Sequence, residues 1–177
     1  MAPFHWIVPA AATLAVLSCG CEPAAPADAV QRSLIDHAAW QEVATEDDPL
    51  NEHRPQTVTC PGAAWGIEDA TLEIDTGLCN YLSLSQPSLG EVSSGELISL
   101  VAWHAQLWDA ETAEAHIAVL FDNTIAWQTT VAIPSNPGVF DLEFTAPVDL
   151  AVDAPIQLHL HNHGSNTWNF LELSQTL

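Results

Sequence analysis

The sequence predicts an all-β fold, an antiparallel sandwich or barrel of about eight strands, on three observations. After Cys60 no long segment carries a 3.6-residue apolar period. Short apolar runs recur there instead, at spacings of roughly 8 to 15 residues. Turn-forming residues separate the runs: Gly90 and Ser94-Gly95, Asp122-Asn123, Pro134 through Gly138, and His163-Gly164-Ser165-Asn166. At 177 residues and 48% hydrophobic content the chain can build one cored domain and is too apolar for a disordered acidic tail.

Before those strands come an export signal and a linking segment. Ile7 to Ser18 is an apolar stretch broken by Pro9, too short to span a bilayer as a helix, which takes about 20 residues. It reads as a secretion h-region. Val16-Leu17-Ser18-Cys19-Gly20 follows and resembles the lipobox of bacterial lipoproteins. That resemblance implies removal of residues 1–18, lipidation of Cys19 and attachment to a bacterial cell envelope. An ordinary signal peptide cut near Ala27-Asp28-Ala29 is the alternative, giving a secreted protein. Residues 19–57 are rich in Ala, Pro, Asp, Glu and Gln and are expected to form a largely disordered tether. Asp28 caps a short helix there if Val30, Leu34, Ala38 and Val43 share one face.

Residues 58–177 form the expected domain. Cys60 and Cys79 are the cysteine pair of this body, and in an oxidising compartment they read as a disulfide closing a loop of about 20 residues, worth roughly 3 kcal/mol. Cys21 has no evident partner. The strands are expected at Ala70 to Ile74, Tyr81 to Ser85, Glu96 to Leu107, Ala113 to Phe121, Thr124 to Ile133, Val139 to Thr145, Pro155 to Asn162 and Thr167 to Ser174.

The segments Leu84-Ser85-Gln86, Ala115 to Val119, Ala126-Trp127, Phe140 to Thr145, Ile156 to Leu160 with Asn162 and Gly164, and Leu171-Glu172-Leu173 resemble, in order and pattern, the galactose-binding-like jelly rolls. This group includes many carbohydrate-binding modules. The likeness covers about Ala64 to Leu177 and implies an antiparallel jelly-roll β-sandwich in which the second, seventh, fourth and fifth strands share a sheet. It also implies a structural calcium site, with Glu68, Asp69 and Glu172 at the corresponding positions; the plainer reading of these acids is solvation.

Strand alternation turns Ile156, Leu158 and Leu160 to one face and Gln157, His159, His161 and His163 to the other. With that strand order, His116, Gln128, Thr130, Ser83 and Ser85 join the histidines on one polar face. His116, His159 and His161 are the candidate ligands for zinc or copper. The same face is the candidate site for a glycan or other small ligand, with His163, Asn162 and Asn166 beside it and Trp168 at its edge. Alternate histidines on a solvated sheet are the plain alternative. A metal-dependent enzyme with Glu114 as base is a further reading. Of the seven tryptophans, Trp103 and Trp127 read as core, whereas Trp65, Trp108 and Trp168 fall near strand ends.

The charge balance narrows the partners. With 23 acidic residues against 2 basic ones, the net charge of −21 excludes nucleic acid and any membrane contact other than a lipid anchor. Asp75-Thr76-Gly77 occurs once, so the paired-aspartate protease chemistry has no support within one chain. The expectation is a non-catalytic binding module for a glycan or small ligand; the alternatives are a metal protein and a structural domain that docks on an envelope protein.

Overall fold

A computed structural model describes residues 30–177; the signal, Cys19 and Cys21 lie outside the described residues. Among the described residues eleven strands form two antiparallel sheets. They are β1 (Gln31–Ser33), β2 (Gln41–Glu42), β3 (Trp65–Glu68), β4 (Thr71–Asp75), β5 (Tyr81–Pro87), β6 (Leu97–His104), β7 (Ala113–Phe121), β8 (Thr124–Ile133), β9 (Gly138–Thr145), β10 (Pro155–Asn162) and β11 (Thr167–Thr176).

The first sheet runs β3-β4-β11-β6-β9 with β1 also on β11, and the second runs β2-β5-β10-β7-β8. The eight strands expected from the sequence are β4 to β11. Numbered among themselves, they pair as first-eighth-third-sixth and second-seventh-fourth-fifth, which is the jelly-roll order. Apart from the β3–β4 and β7–β8 hairpins the chain passes from one sheet to the other, and each sheet offers one face to a shared core. Ile98, Leu100 and Ala102 of β6, Ile117 and Val119 of β7, and Leu158 and Leu160 of β10 fill it. Cys60 and Cys79 are joined by a disulfide.

Three strands escape the sequence pattern. β3 meets β4 through Asp69-Ala70, both at positive φ (47° and 63°), so Ala70 is a turn residue and not the strand start expected for it. Neither residue is glycine, which hides the turn. Asp122-Asn123, at φ 45° and 65°, makes the expected hairpin between β7 and β8. A register shift beside it, between Val119 and Leu120, turns Ile125 outward despite its apolar character.

The larger correction concerns the tether. From Val30 to Thr57 the chain is packed on the sandwich, not loose. Leu34, Ile35, Trp40 and Leu50 are all buried. β1 pairs with β11, β2 pairs with β5, and the Leu177 amide donates to the Val30 carbonyl at 2.9 Å. Asp28, the expected cap, lies outside the described residues; among those described, no helix joins Val30, Leu34, Ala38 and Val43, and Asp36 Oδ1 accepts from Ala38 N at 2.9 Å to cap a single 3-10 turn, His37–Ala39. Pro and acidic residues here keep the elements short without preventing docking, because Leu34, Ile35 and Trp40 join the main core and Leu50 packs on Ala118 and Leu120.

Tight packing at one strand end gives a testable stability effect. The His104 ring lies beside the stacked Trp168 and Phe140 rings, with centroids 4.7 and 5.9 Å away, and its Nδ1 meets the Ala105 carbonyl at 2.8 Å. A Cβ on Gly138 would stand 2.5 Å from His104 Nε2. Gly138→Ala is therefore expected to cost about 1–3 kcal/mol, as overpacked cores do, and to lower the calorimetric unfolding midpoint. An unchanged midpoint would show that the ring can step aside.

Candidate functional site

The outer face of the second sheet gathers the histidines, and the N-terminal segment covers them. In register, His161 of β10 stands between Tyr81 of β5 and His116 of β7, and His159 stands between Ser83 and Ala118. Residues 44–54 cross this face as a strap built on two 3-10 turns, Thr45–Asp47 and Asn51–His53. Leu50 packs on Ala118 and Leu120, the small and apolar positions that leave room for it.

Polar contacts hold the strap in place. Asp48, 6% exposed, accepts from the Tyr81 hydroxyl at 2.5 Å through Oδ2, and through Oδ1 from Ser83 Oγ at 3.3 Å and Leu50 N at 3.1 Å. Burial, and then the bond to Asp48, push the Tyr81 hydroxyl above its ordinary pKa. The Arg54 guanidinium lies 5.0 Å from the Tyr81 ring centroid. The contacts to Tyr81 and Ser83 link the strap to β5, and the Leu50 amide bond to Asp48 shapes the strap itself.

His53, which the sequence placed in the tether, brings an imidazole to the cluster. Its Nδ1 is 3.1 Å from His116 Nδ1, and its ring centroid is 4.7 Å from that of His116 and 5.5 Å from that of His159. His116 Nε2 donates to Gln128 Oε1 at 3.0 Å. His159 is fully buried, and neither of its ring nitrogens has a hydrogen-bond partner among the described residues. Burial, reinforced by His116, His53 and His161, lowers its pKa to about 3. His161 is pushed to about 4 by burial and then by His163, and His116 is lowered by burial. These three imidazoles are neutral at pH values near neutrality.

The structure thus brings His116, His159 and Gln128 together as expected, and it changes the third histidine. One ligand atom from each of His53, His116 and His159 lies within 4.8 Å of the others. His161 stands outside this trio, its ring 5.8 Å from Tyr81 and 4.4 Å from His163. Nothing in Asn51-Glu52-His53-Arg54 announced that role, because it depends on where the strap crosses. Glu114 lies on the same face of β7 at an exposed position.

Other expected site residues serve the fold. Trp168 is 2% exposed, not at a ligand edge, and donates Nε1–H to Asn162 Oδ1 at 3.2 Å. Asn162 is itself buried and also donates to the Gly164 carbonyl. Asn166, at φ 129°, donates to the Gln106 carbonyl at 2.9 Å and accepts from Thr167 N at 2.9 Å. Trp103 faces away from the core, since His104, Ala102 and Leu100 take the inward positions of β6. Glu68, Asp69 and Glu172 do not converge: Glu68 sits beside Glu73 across the β3–β4 hairpin, and Glu172 accepts from Ser174 Oγ at 2.6 Å. The calcium site implied by the resemblance is therefore not assembled from these residues.

A second feature opens to solvent. Trp108, in the β6–β7 connection, is 59% exposed and borders an open groove of about 420 Å³ lined also by Asn80, Asp109, His163 and Ser165. Its backbone is fixed by a bridge to Ser165, with Ser165 N donating to Trp108 O at 2.8 Å. Trp65, which borders another groove, is partly packed on the core and has its Nε1–H bonded to Glu42 at 3.0 Å.

No family model and no curated protein matches the chain. Among solved structures it is similar to a carbohydrate-binding module, CBM28, described as specific for non-crystalline cellulose, at TM-score 0.46 and 8% identity, covering 85% of this chain and 96% of that one. A CBM4 module matches at TM-score 0.38 and 14% identity over 68% of this chain and 76% of that one. The K3 adhesin domain of Lys-gingipain from Porphyromonas gingivalis matches at TM-score 0.39 and 16% identity over 79% and 93%. With TM-scores this low the likeness carries no argument about ligands, and the jelly-roll assignment stands on strand order.

Proposed function

We propose that the chain is an exported, non-catalytic binding module that holds a neutral or cationic saccharide in the Trp108 groove. The observation that carries this reading is the exposed indole beside a groove with amide, carboxylate and hydroxyl side chains at Asn80, Asp109 and Ser165. A flat aromatic ring covers the C–H face of a pyranose, and a few polar groups orient its hydroxyls. The disulfide supports an oxidising compartment. Lipid attachment at Cys19 belongs to the same proposal. The net charge of −21 disfavours sulfated and uronic-acid chains, which leaves neutral or cationic sugars.

The reading moves the ligand away from the histidine face that the sequence favoured, because the strap occupies the centre of that face over His159 and Ser83. Its test is titration of the full chain with neutral, aminated and anionic oligosaccharides, followed by tryptophan fluorescence. Binding of a neutral or aminated sugar, weakened roughly tenfold or more by Trp108→Ala, is the expected result; one tenfold step corresponds to about 1.4 kcal/mol. A panel without binding, or a Trp108→Ala variant that binds as tightly, overturns the proposal.

A further inference from the structure

We propose that His53, His116 and His159 hold a divalent transition-metal ion of the zinc or copper class, and that this ion fastens the strap to the sheet. The inference is independent of saccharide binding at Trp108.

Three features of the trio support it. First, its geometry is near that of a ligand set. Two imidazole nitrogens on a tetrahedral zinc, each about 2.0–2.1 Å from the ion, stand about 3.3 Å apart. The Nδ1 atoms of His53 and His116 are 3.1 Å apart, and a His159 nitrogen completes a group within 4.8 Å. Second, His159 is fully buried with both ring nitrogens unpartnered among the described residues. A buried polar group without a partner is destabilising, and coordination would supply one. Third, the contact with Gln128 Oε1 places the His116 proton on Nε2, leaving the Nδ1 lone pair facing the other two rings. An outer hydrogen bond of this kind orients a metal-ligating histidine.

The chemistry also selects the ion class. Three imidazoles and no carboxylate suit zinc or copper and are poor ligands for calcium or magnesium. Three protein nitrogens leave a fourth position open to solvent or a small ligand. The nearest positive charge, Arg54, is stationed over Tyr81, and the acidic surface of the chain attracts cations. The strap supplies one ligand and the sheet supplies two, so occupancy and strap docking are linked by mass action.

The test uses the full chain, expressed without a polyhistidine tag and purified without chelator. It is assayed for bound metal and titrated with zinc(II) and copper(II) against a chromophoric chelator, beside His53→Ala and His159→Leu. One ion per chain is expected, with binding weakened on the order of 100-fold or more in each variant. His53→Ala alters only a partly exposed strap residue, so it remains informative if His159→Leu fails to fold. Proteolysis is a second readout: zinc is expected to slow cleavage within residues 44–54 of the wild type and to have no such effect in His53→Ala. Folded wild type that takes up neither ion, or His53→Ala that binds as tightly as wild type, overturns the inference.

Discussion

Acidifying the metal-free protein from about pH 7 to about pH 4 is expected to destabilise it by roughly 2–4 kcal/mol, chiefly through the buried His159, with a smaller, solvent-screened share from the half-buried His161. In the unfolded chain a histidine takes up its proton near pH 6.5. In the fold, burial holds His159 to about 3 and His161 to about 4, and His116 is shifted the same way. Between these limits the unfolded chain binds more protons than the native one. Stability therefore rises with pH across the window and is lost as pH falls from about 6.5 toward 4. Asp48, His53 and Arg54 of the strap, Tyr81 of β5, His116 of β7 and His163 after β10 are the charged or titratable groups around the pair. Urea midpoints measured at a series of pH values on chelator-treated protein check this, with His159→Leu expected to flatten the dependence. A wild-type midpoint that stays constant through the window would refute the account.

The second large effect falls on Trp168. Trp168→Ala is expected to cost about 3–5 kcal/mol, as truncating a buried aromatic does, and to lower Tm by roughly 10 °C. The ring stacks on Phe140 at 6.1 Å with 4° between planes, borders His104 and bonds Asn162, so its loss empties the end of the core under β10 and β11. Trp108→Ala, by contrast, removes an exposed ring and is expected to leave Tm nearly unchanged. Differential scanning calorimetry on the two variants separates them. Similar midpoints for both would mean that the tryptophan roles are misassigned.

The sequence exposes those features that period and punctuation control. Alternation on β10 set Ile156, Leu158 and Leu160 against His159 and His161, and the burial of the first three follows from it. The pairing of β10 with β7 followed from eight strands taken in jelly-roll order. Features made by tertiary docking stayed hidden. Asp48 and His53 lie in a stretch with no strand or helix period, and their positions depend on Leu50 finding the gap over Ala118 and Leu120. Trp168 looked like a shelf because it follows a turn; only the pairing of β11 with β4 and β6 directs it inward. Ala70 looked like a strand residue because nothing in its side chain advertises a positive φ.

The pairing of β1 with β11 has a consequence for how the chain can be connected. Val30 and Leu177 meet backbone to backbone, so the described residues begin and end at one corner of the sandwich. A short peptide joining them would close residues 30–177 into a ring without crossing either sheet. The exposed Asp122-Asn123 hairpin then offers a place to open that ring, as a circular permutant. By the same geometry the whole sandwich can be spliced into a surface loop of a host protein, as domains with adjacent ends are.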